Sequence, residues 1–282
     1  MEKGLQDVRD LMASGLSSTV LLHLLPTCKS LMANGKMLRA RLCLRVGPSA
    51  GVPRDTLVTA SAAVEMIHAA SLLHDDVIDG GMIRRGLPTF WVERGVPGAI
   101  LVGDLMLFKA LDLVAHVDES RLVRKLIEMT GEVCDAESEQ ELLIRGQPAD
   151  WETCVRIARR KTGALFAFAA FCCGGRDEAL SNALCEAGYA IGTAYQLADD
   201  VLDVRGTEAS AGKTLGTDRE RAKNTTATVK QPVHDANGYI ETLCDKAERL
   251  LANWPHVQQA WRTFITLDMR PALVKNLTLA AG

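Results

Sequence analysis

Two short segments of the 282-residue sequence carry the same arrangement of carboxylates. "HDDVID" places Asp75, Asp76 and Asp79 together, and "ADDVLD" places Asp199, Asp200 and Asp203 together. Both read D-D-x-x-D, and each closes an apolar stretch. On a helix, residues i and i+4 share a face, so Asp75 and Asp79 point one way while Asp76 lies about 100° round. Negative charge at a helix C-terminus is opposed by the macrodipole, and a local cation would offset it. One such cluster reads equally well as a solvated helix end. Two of them, on facing helices, form a set of hard oxygen donors that suits Mg²⁺ completed by water and substrate phosphates.

Basic residues stand near both clusters. Arg84 and Arg85 follow Asp79, and arginine forks match phosphate oxygens. Lys161 and Thr162 enter an apolar stretch in "RRKTGALF". Lys213 lies in "AGKTLGTD", Lys223 in "RAKNTT", and Lys36 and Arg39 in "NGKMLRAR". The Gly-Lys-Thr of the second segment is not a phosphate-binding Walker loop, because the earlier glycine is missing. Singly, each cation reads as a solvated surface charge. As a constellation they are the counter-charges a metal-bridged diphosphate needs. His68, seven residues before Asp75 on about the same face, is either a buried histidine or a donor to a second phosphate. Gln196, three residues before Asp199, points into the same site as that carboxylate.

The elements that must position these residues read as helices almost throughout. Helical spacing covers residues 56–79, 96–117, 119–146, 150–175, 178–204, 236–254 and 257–269. Asp150 stands as an N-cap, with Thr153 close behind, and paired glycines end the helix that follows. No alternating strand pattern and no Pro/Gly/Ser linker appears, which predicts an all-α, single-domain chain over residues 1–282.

Composition sets the outer bounds. Hydrophobic residues make up 48% and aromatics 5%, and the net charge of −3 favours neither nucleic acid nor an anionic membrane surface. The 8 cysteines are scattered with no C-x-x-C beside histidine, so they read as reduced thiols in a cytoplasmic protein rather than zinc ligands. The apolar run from Ala164 is too short to span a bilayer, and no transmembrane segment is expected.

These segments occur in the order and approximate spacing of a known family. With "GKMLR", "EMIHAASLLHDDVIDGGMIRRGLPT", "LVGDLML", "KTGALF", "YQLADDVLDV" and "GKTLGTD", the chain resembles the trans-isoprenyl diphosphate synthases, or polyprenyl synthetases, from about residue 34 to 224. The resemblance implies an all-α bundle around a deep cavity (the isoprenoid synthase fold), working as a homodimer. The reaction it implies is head-to-tail prenyl transfer. An allylic diphosphate such as farnesyl or geranylgeranyl diphosphate joins isopentenyl diphosphate, giving a longer trans-polyprenyl diphosphate and pyrophosphate. By resemblance, Asp75, Asp79 and Asp199 hold Mg²⁺ with support from Asp76, Asp200 and Asp203, with about three ions per site once diphosphate is bound. Arg84, Lys161, Thr162, Gln196, Lys213 and Lys223 are then contacts of the allylic diphosphate. Lys36, Arg39, His68, Arg85 and the backbone of Gly35 are contacts of isopentenyl diphosphate. Two departures stand out: Ala40 where the family often has proline, and "NTTATV" after Lys223 in place of leucine-proline.

Product length is expected to depend on the residues before Asp75. The family places a bulky aromatic five residues earlier to stop growth, and here that position is Ala70, beside Ser71. With no two-residue insertion in the first cluster, this predicts a product of about twenty-five to forty carbons, with Met66, Met106 or Phe108 as a lower floor. A short-chain synthase, a class I terpene cyclase and a non-catalytic synthase subunit are the competing readings. The cyclase would not use Lys36, Arg39 and Arg85, and such subunits tend to lose one aspartate cluster. No nucleic-acid partner is expected, and loose membrane association would serve release of a long product.

Overall fold

The computed structural model describes residues 1–21, 35–84, 86–117, 119–205, 225 and 236–279. Eleven helices run through these residues: α1 (Glu2–Ser17), α2 (Leu38–Val46), α3 (Arg54–Ile78), α4 (Phe90–Ala115), α5 (Ser120–Ser138), α6 (Trp151–Ala158), α7 (Ala164–Cys172), α8 (Glu178–Arg205), α9 (Ala236–Arg249), α10 (Pro255–Phe264) and α11 (Arg270–Leu279). The all-α reading therefore holds. Sheet among the described residues is limited to a hairpin of two-residue strands, β1 (Ile83–Arg84) and β2 (Leu87–Pro88). Strands that short lie below any periodic signal.

Sequence chemistry explains the helix starts and breaks. Asp150 caps α6 by accepting the Thr153 backbone N–H at 2.8 Å, as the sequence predicts. The chain before Pro97 is also helical, and α4 bends at Gly95, whose φ of 76° and ψ of 164° only glycine adopts easily. Three π-helical turns interrupt regular winding, at Glu139–Leu143, Arg159–Gly163 and Ile265–Met269. Such turns insert a residue into the helix and swing the following side chains to a new direction. The second one carries Lys161 and Thr162.

The core centres on α7, whose residues from Ala164 to Cys172 are all buried. α7 packs against both α3 and α8, the two helices that end in aspartate clusters. Small residues let α8 come close. A Cβ on Gly188 would stand 2.5 Å from the Phe166 carbonyl oxygen, and one on Gly192 would stand 2.7 Å from the Gly163 Cα. This near-contact of backbones brings α8 against the π-turn that holds Thr162. α3 is long and apolar enough by length and composition to cross a bilayer, which the apolar run at Ala164 is not, but 67% of its apolar window is buried within the protein. Of the described cysteines, six are buried free thiols filling the core and Cys134 is exposed.

Candidate active site

Each aspartate cluster ends its helix with a mixture of buried and half-buried carboxylates. Asp76, Asp200 and Asp203 are buried, while Asp75, Asp79 and Asp199 are half-buried. Beyond α3 the chain turns at Gly80 and Gly81, and the Gly81 carbonyl accepts bonds from Thr89 Oγ1 at 2.7 Å and Trp91 Nε1 at 2.8 Å. These bonds fix the hairpin so that Arg84 reaches back to the helix it has just left. Its Nε lies 2.8 and 3.1 Å from the two Asp76 oxygens and its Nη2 lies 2.7 Å from Oδ1. Burial alone would lower the Arg84 pKa. The bond to Asp76 and the charges of Asp75 and Asp199 outweigh it and raise the pKa above the ordinary value. Arg84 thus feels carboxylates of both clusters at once.

Lys161 forms the second cationic point. It pairs with Glu137 of α5 and lies 3.3 Å from Gln140 Oε1. Burial alone would push its ammonium down, but Asp75, Glu137 and Asp79 together hold its pKa above the usual lysine range. It therefore remains a cation at neutral pH. Its neighbour Thr162 donates to Gln196 Oε1 at 2.5 Å, and Gln196 Nε2 donates to Asp200 Oδ1 at 2.7 Å. This chain joins the π-turn to the second aspartate cluster. A cavity of about 40 Å³ between Gln140, Lys161, Gln196 and Asp200 opens beside it. Burial pushes the Cys154 thiol in its wall up to about 12, so that thiol is neutral.

Lys36 and Arg39 converge on a different wall. Lys36 Nζ stands 3.5 Å from the Tyr195 hydroxyl and 5.4 Å from the centre of its ring. The Arg39 guanidinium stacks 4.6 Å from the Phe166 ring centre. Burial pushes the Arg39 pKa down, opposed by Glu65 and Tyr195. Glu65 Oε1 also accepts the backbone N–H of Ala40 at 3.0 Å, a bond that proline at this position could not donate. His68 is half-buried on α3, where its carbonyl accepts Ser71 Oγ at 3.0 Å. Arg85, Lys213 and Lys223 lie outside the described residues.

The donors fit a hard divalent cation by chemistry, since both clusters offer only carboxylate oxygens. Among the described residues, no three such donors converge closely enough to enclose an ion by themselves. The sequence reading expects hard oxygen donors completed by water and substrate phosphates. The arrangement is consistent with that expectation: it suits an ion that draws several ligands from phosphate and water.

Glu65, Glu137, Gln140 and Tyr195 escaped the sequence reading. Glu65 and Tyr195 carried a usable signal: a carboxylate in an apolar helix three residues before His68, and a hydroxyl beside Gln196. Glu137 and Gln140 carried none, because they reach Lys161 from another helix. Phe108 does not form a floor for a cavity. It is 66% exposed on α4, whereas Met66 and Met106 are fully buried.

A family model described as polyprenyl synthetase matches residues 23–250. The octaprenyl diphosphate synthase of Haemophilus influenzae is 34% identical over 194 residues, 68% of this chain and 59% of that protein. The farnesyl diphosphate synthase of Escherichia coli is 35% identical over 209 residues, 69% of this chain and 70% of that protein. Among solved structures, the polyprenyl synthase from Caulobacter crescentus CB15, complexed with calcium and isoprenyl diphosphate, superposes with a TM-score of 0.73. It shows 26% identity over 99% of this chain and 94% of the other. The decaprenyl diphosphate synthase from Rhodobacter capsulatus gives a TM-score of 0.72 at 26% identity over 99% and 95%. The match thus spans about three-fifths of the Haemophilus protein's length and nearly all of both solved structures.

Proposed function

The chain belongs to the polyprenyl synthetase family, and on that premise we propose that it condenses an allylic prenyl diphosphate with isopentenyl diphosphate, releasing pyrophosphate and a longer trans-polyprenyl diphosphate. The observation that carries this reading is Arg84, which clamps Asp76 and also lies in the field of Asp75 and Asp199. A cation between two carboxylate clusters, with Lys161 beside it, supports the reading that a diphosphate and its counter-ions bind here.

In this reading Asp75, Asp79 and Asp199 hold the divalent metal, with Asp76, Asp200 and Asp203 behind them. Mg²⁺, about three ions per site, supplies neutralisation of the pyrophosphate that leaves the allylic carbon. Arg84 and Lys161 bind its oxygens, and Lys213 and Lys223 join the same set. Thr162 and Gln196 hold the π-turn against the second cluster and aim Lys161. Gly35, Lys36, Arg39, His68 and Arg85 orient isopentenyl diphosphate. The buried apolar face of α3 excludes water from the allylic cation. The last proton passes to the departing pyrophosphate.

Ala70 is buried on α3, with Ala63, Ile67 and Met66 along the turns before it. We read these residues as the wall of a product tunnel with Met66 and Met106 as its floor. Purified protein given farnesyl diphosphate, labelled isopentenyl diphosphate and Mg²⁺ is expected to make products of about twenty-five to forty carbons, and Ala70→Phe to shorten them sharply. Wild-type products of only twenty carbons, unchanged by Ala70→Phe, would overturn the long-chain assignment in favour of a short-chain synthase. Hydrocarbon formed without isopentenyl diphosphate would point to a cyclase. No transfer from farnesyl diphosphate or from the five-carbon allylic diphosphate would point to a non-catalytic subunit, and transfer from the five-carbon primer alone to a farnesyl-type synthase.

A homodimer belongs to the same proposal. α4 exposes Ile100, Leu101 and Phe108 at 42%, 67% and 66%, and Ile127 of α5 is 54% exposed. Large apolar side chains so open to water favour a covering partner. Light scattering is expected to give twice the 30.5 kDa chain mass, and a monomer mass at micromolar concentration would refute it. The same proposal treats residues 1–282 as one catalytic domain in the cytoplasm, with loose membrane contact for product release, which cell fractionation tests.

A further inference from the structure

The backbone that carries Lys36 is bent in a way its sequence does not favour. Met37, the residue after it, has φ 48° and ψ 44° and is the one non-glycine residue with positive φ among the described residues. A methionine held left-handed persists only where its surroundings impose it. Arg41, one turn along α2, supplies the restraint. Its Nε donates to the Lys36 carbonyl at 3.0 Å, and its Nη1 donates to Asp268 Oδ1 at 3.2 Å. Asp268 lies in the π-turn before α11, with its side chain only 3% exposed. Its other oxygen accepts Arg45 Nε at 2.6 Å. A fork bonded at both ends is a stiffer tie than a single ion pair.

We propose that Arg41 and Asp268 are positioning residues that brace the Gly35–Lys36–Met37 bend and so hold Lys36 for the second diphosphate. This rests on the reading of Lys36 as an isopentenyl diphosphate ligand. The brace runs from the C-terminal π-turn through Arg41 to the Lys36 carbonyl, and from there to the ammonium beside Tyr195. Arg45 provides the internal control. It shares Asp268 with Arg41, is no more exposed, and its Nε donates to Asp268 rather than to the bend.

The test is steady-state kinetics on the full chain with farnesyl diphosphate, isopentenyl diphosphate and Mg²⁺. Loss of the charge-assisted bond to the Lys36 carbonyl, together with its tie to Asp268, in Arg41→Gln is expected to raise KM for isopentenyl diphosphate about tenfold while kcat and KM for the allylic diphosphate stay within about twofold. Arg45→Gln is expected to lower the thermal midpoint about as much as Arg41→Gln does and to leave all three kinetic constants near wild type. Asp268→Asn keeps the side-chain volume and is expected to reproduce the Arg41→Gln pattern, which covers the case in which Arg41→Gln does not fold. Equal changes in Arg41→Gln and Arg45→Gln, or an unchanged KM in both Arg41→Gln and Asp268→Asn, would show the contacts to be structural only and end the proposal. Lys36→Ala separates the two levels. A raised KM there with an unmoved Arg41→Gln sinks the brace alone, whereas an unchanged KM in Lys36→Ala sinks the underlying assignment.

Discussion

Asp75→Asn is expected to lower kcat about a thousandfold at saturating Mg²⁺ while leaving the thermal midpoint close to that of the wild type. The side chain keeps its size and is only half-buried, so little packing is lost. What changes is charge, and Asp75 stands at the electrostatic centre of the site. Its carboxylate helps raise the pKa of Lys161 and of Arg84, and it adds to burial in raising that of the Cys134 thiol. In the proposed reaction it would also hold the metal that neutralises the leaving group. Glu137 and Asp79 still favour protonated Lys161 in the variant, so the loss would report on the metal rather than on a neutralised lysine. The decisive measurement is kcat across a Mg²⁺ titration. Activity within tenfold of wild type at every Mg²⁺ concentration would remove Asp75 from the metal site.

Arg84→Gln is expected to lose both stability and activity, and the two losses should separate in a double variant. The Asp76 side chain is 6% exposed and the Arg84 side chain 29%, and three contacts between 2.7 and 3.1 Å join them. Removing one member of so buried a pair is expected to destabilise the fold by about 3 kcal/mol, because the carboxylate stays in a poorly solvated place. Removing both charges, as Arg84→Gln with Asp76→Asn, is expected to recover most of that loss. Activity is not expected to return, since the cation that meets the diphosphate would still be missing. kcat/KM is expected to stay at least about a hundredfold down in both. Denaturant unfolding and initial rates on the single and double variants check this together. Recovery of activity along with stability would mean that Arg84 serves only to hold Asp76.

Much of the fold was legible because helices announce themselves by local spacing. Both observed ends of α3 and α8, and the start of α6, lie within two residues of those read from apolar periodicity and caps. α1, α2 and α11 were not singled out, and the polar start of α4 was missed. The three π-turns could not be read at all. A one-residue insertion in a helix leaves periodicity on either side nearly intact, and the first two lie inside segments that scanned as continuous helix. Phe108 failed for a related reason. It belongs to an apolar helix, and periodicity alone does not say which apolar side faces inward when the whole helix is greasy.

The sequence by itself determined which residues could make the chemistry. Two D-D-x-x-D segments, each at a helix end, put carboxylates at i and i+4 whatever the rest of the chain does, and Arg84 follows the first closely enough to turn back on it. Those are facts of covalent spacing and helix geometry. Only the tertiary structure decided which groups meet across elements. It set Arg84 in the field of Asp199, 115 residues away, tied Thr162 to Gln196 and Lys161 to Glu137, and ran Asp268 through Arg41 to the Lys36 bend. Such pairs have no sequence signature, because their distances depend on how closely small residues such as Gly188 and Gly192 allow whole helices to pack.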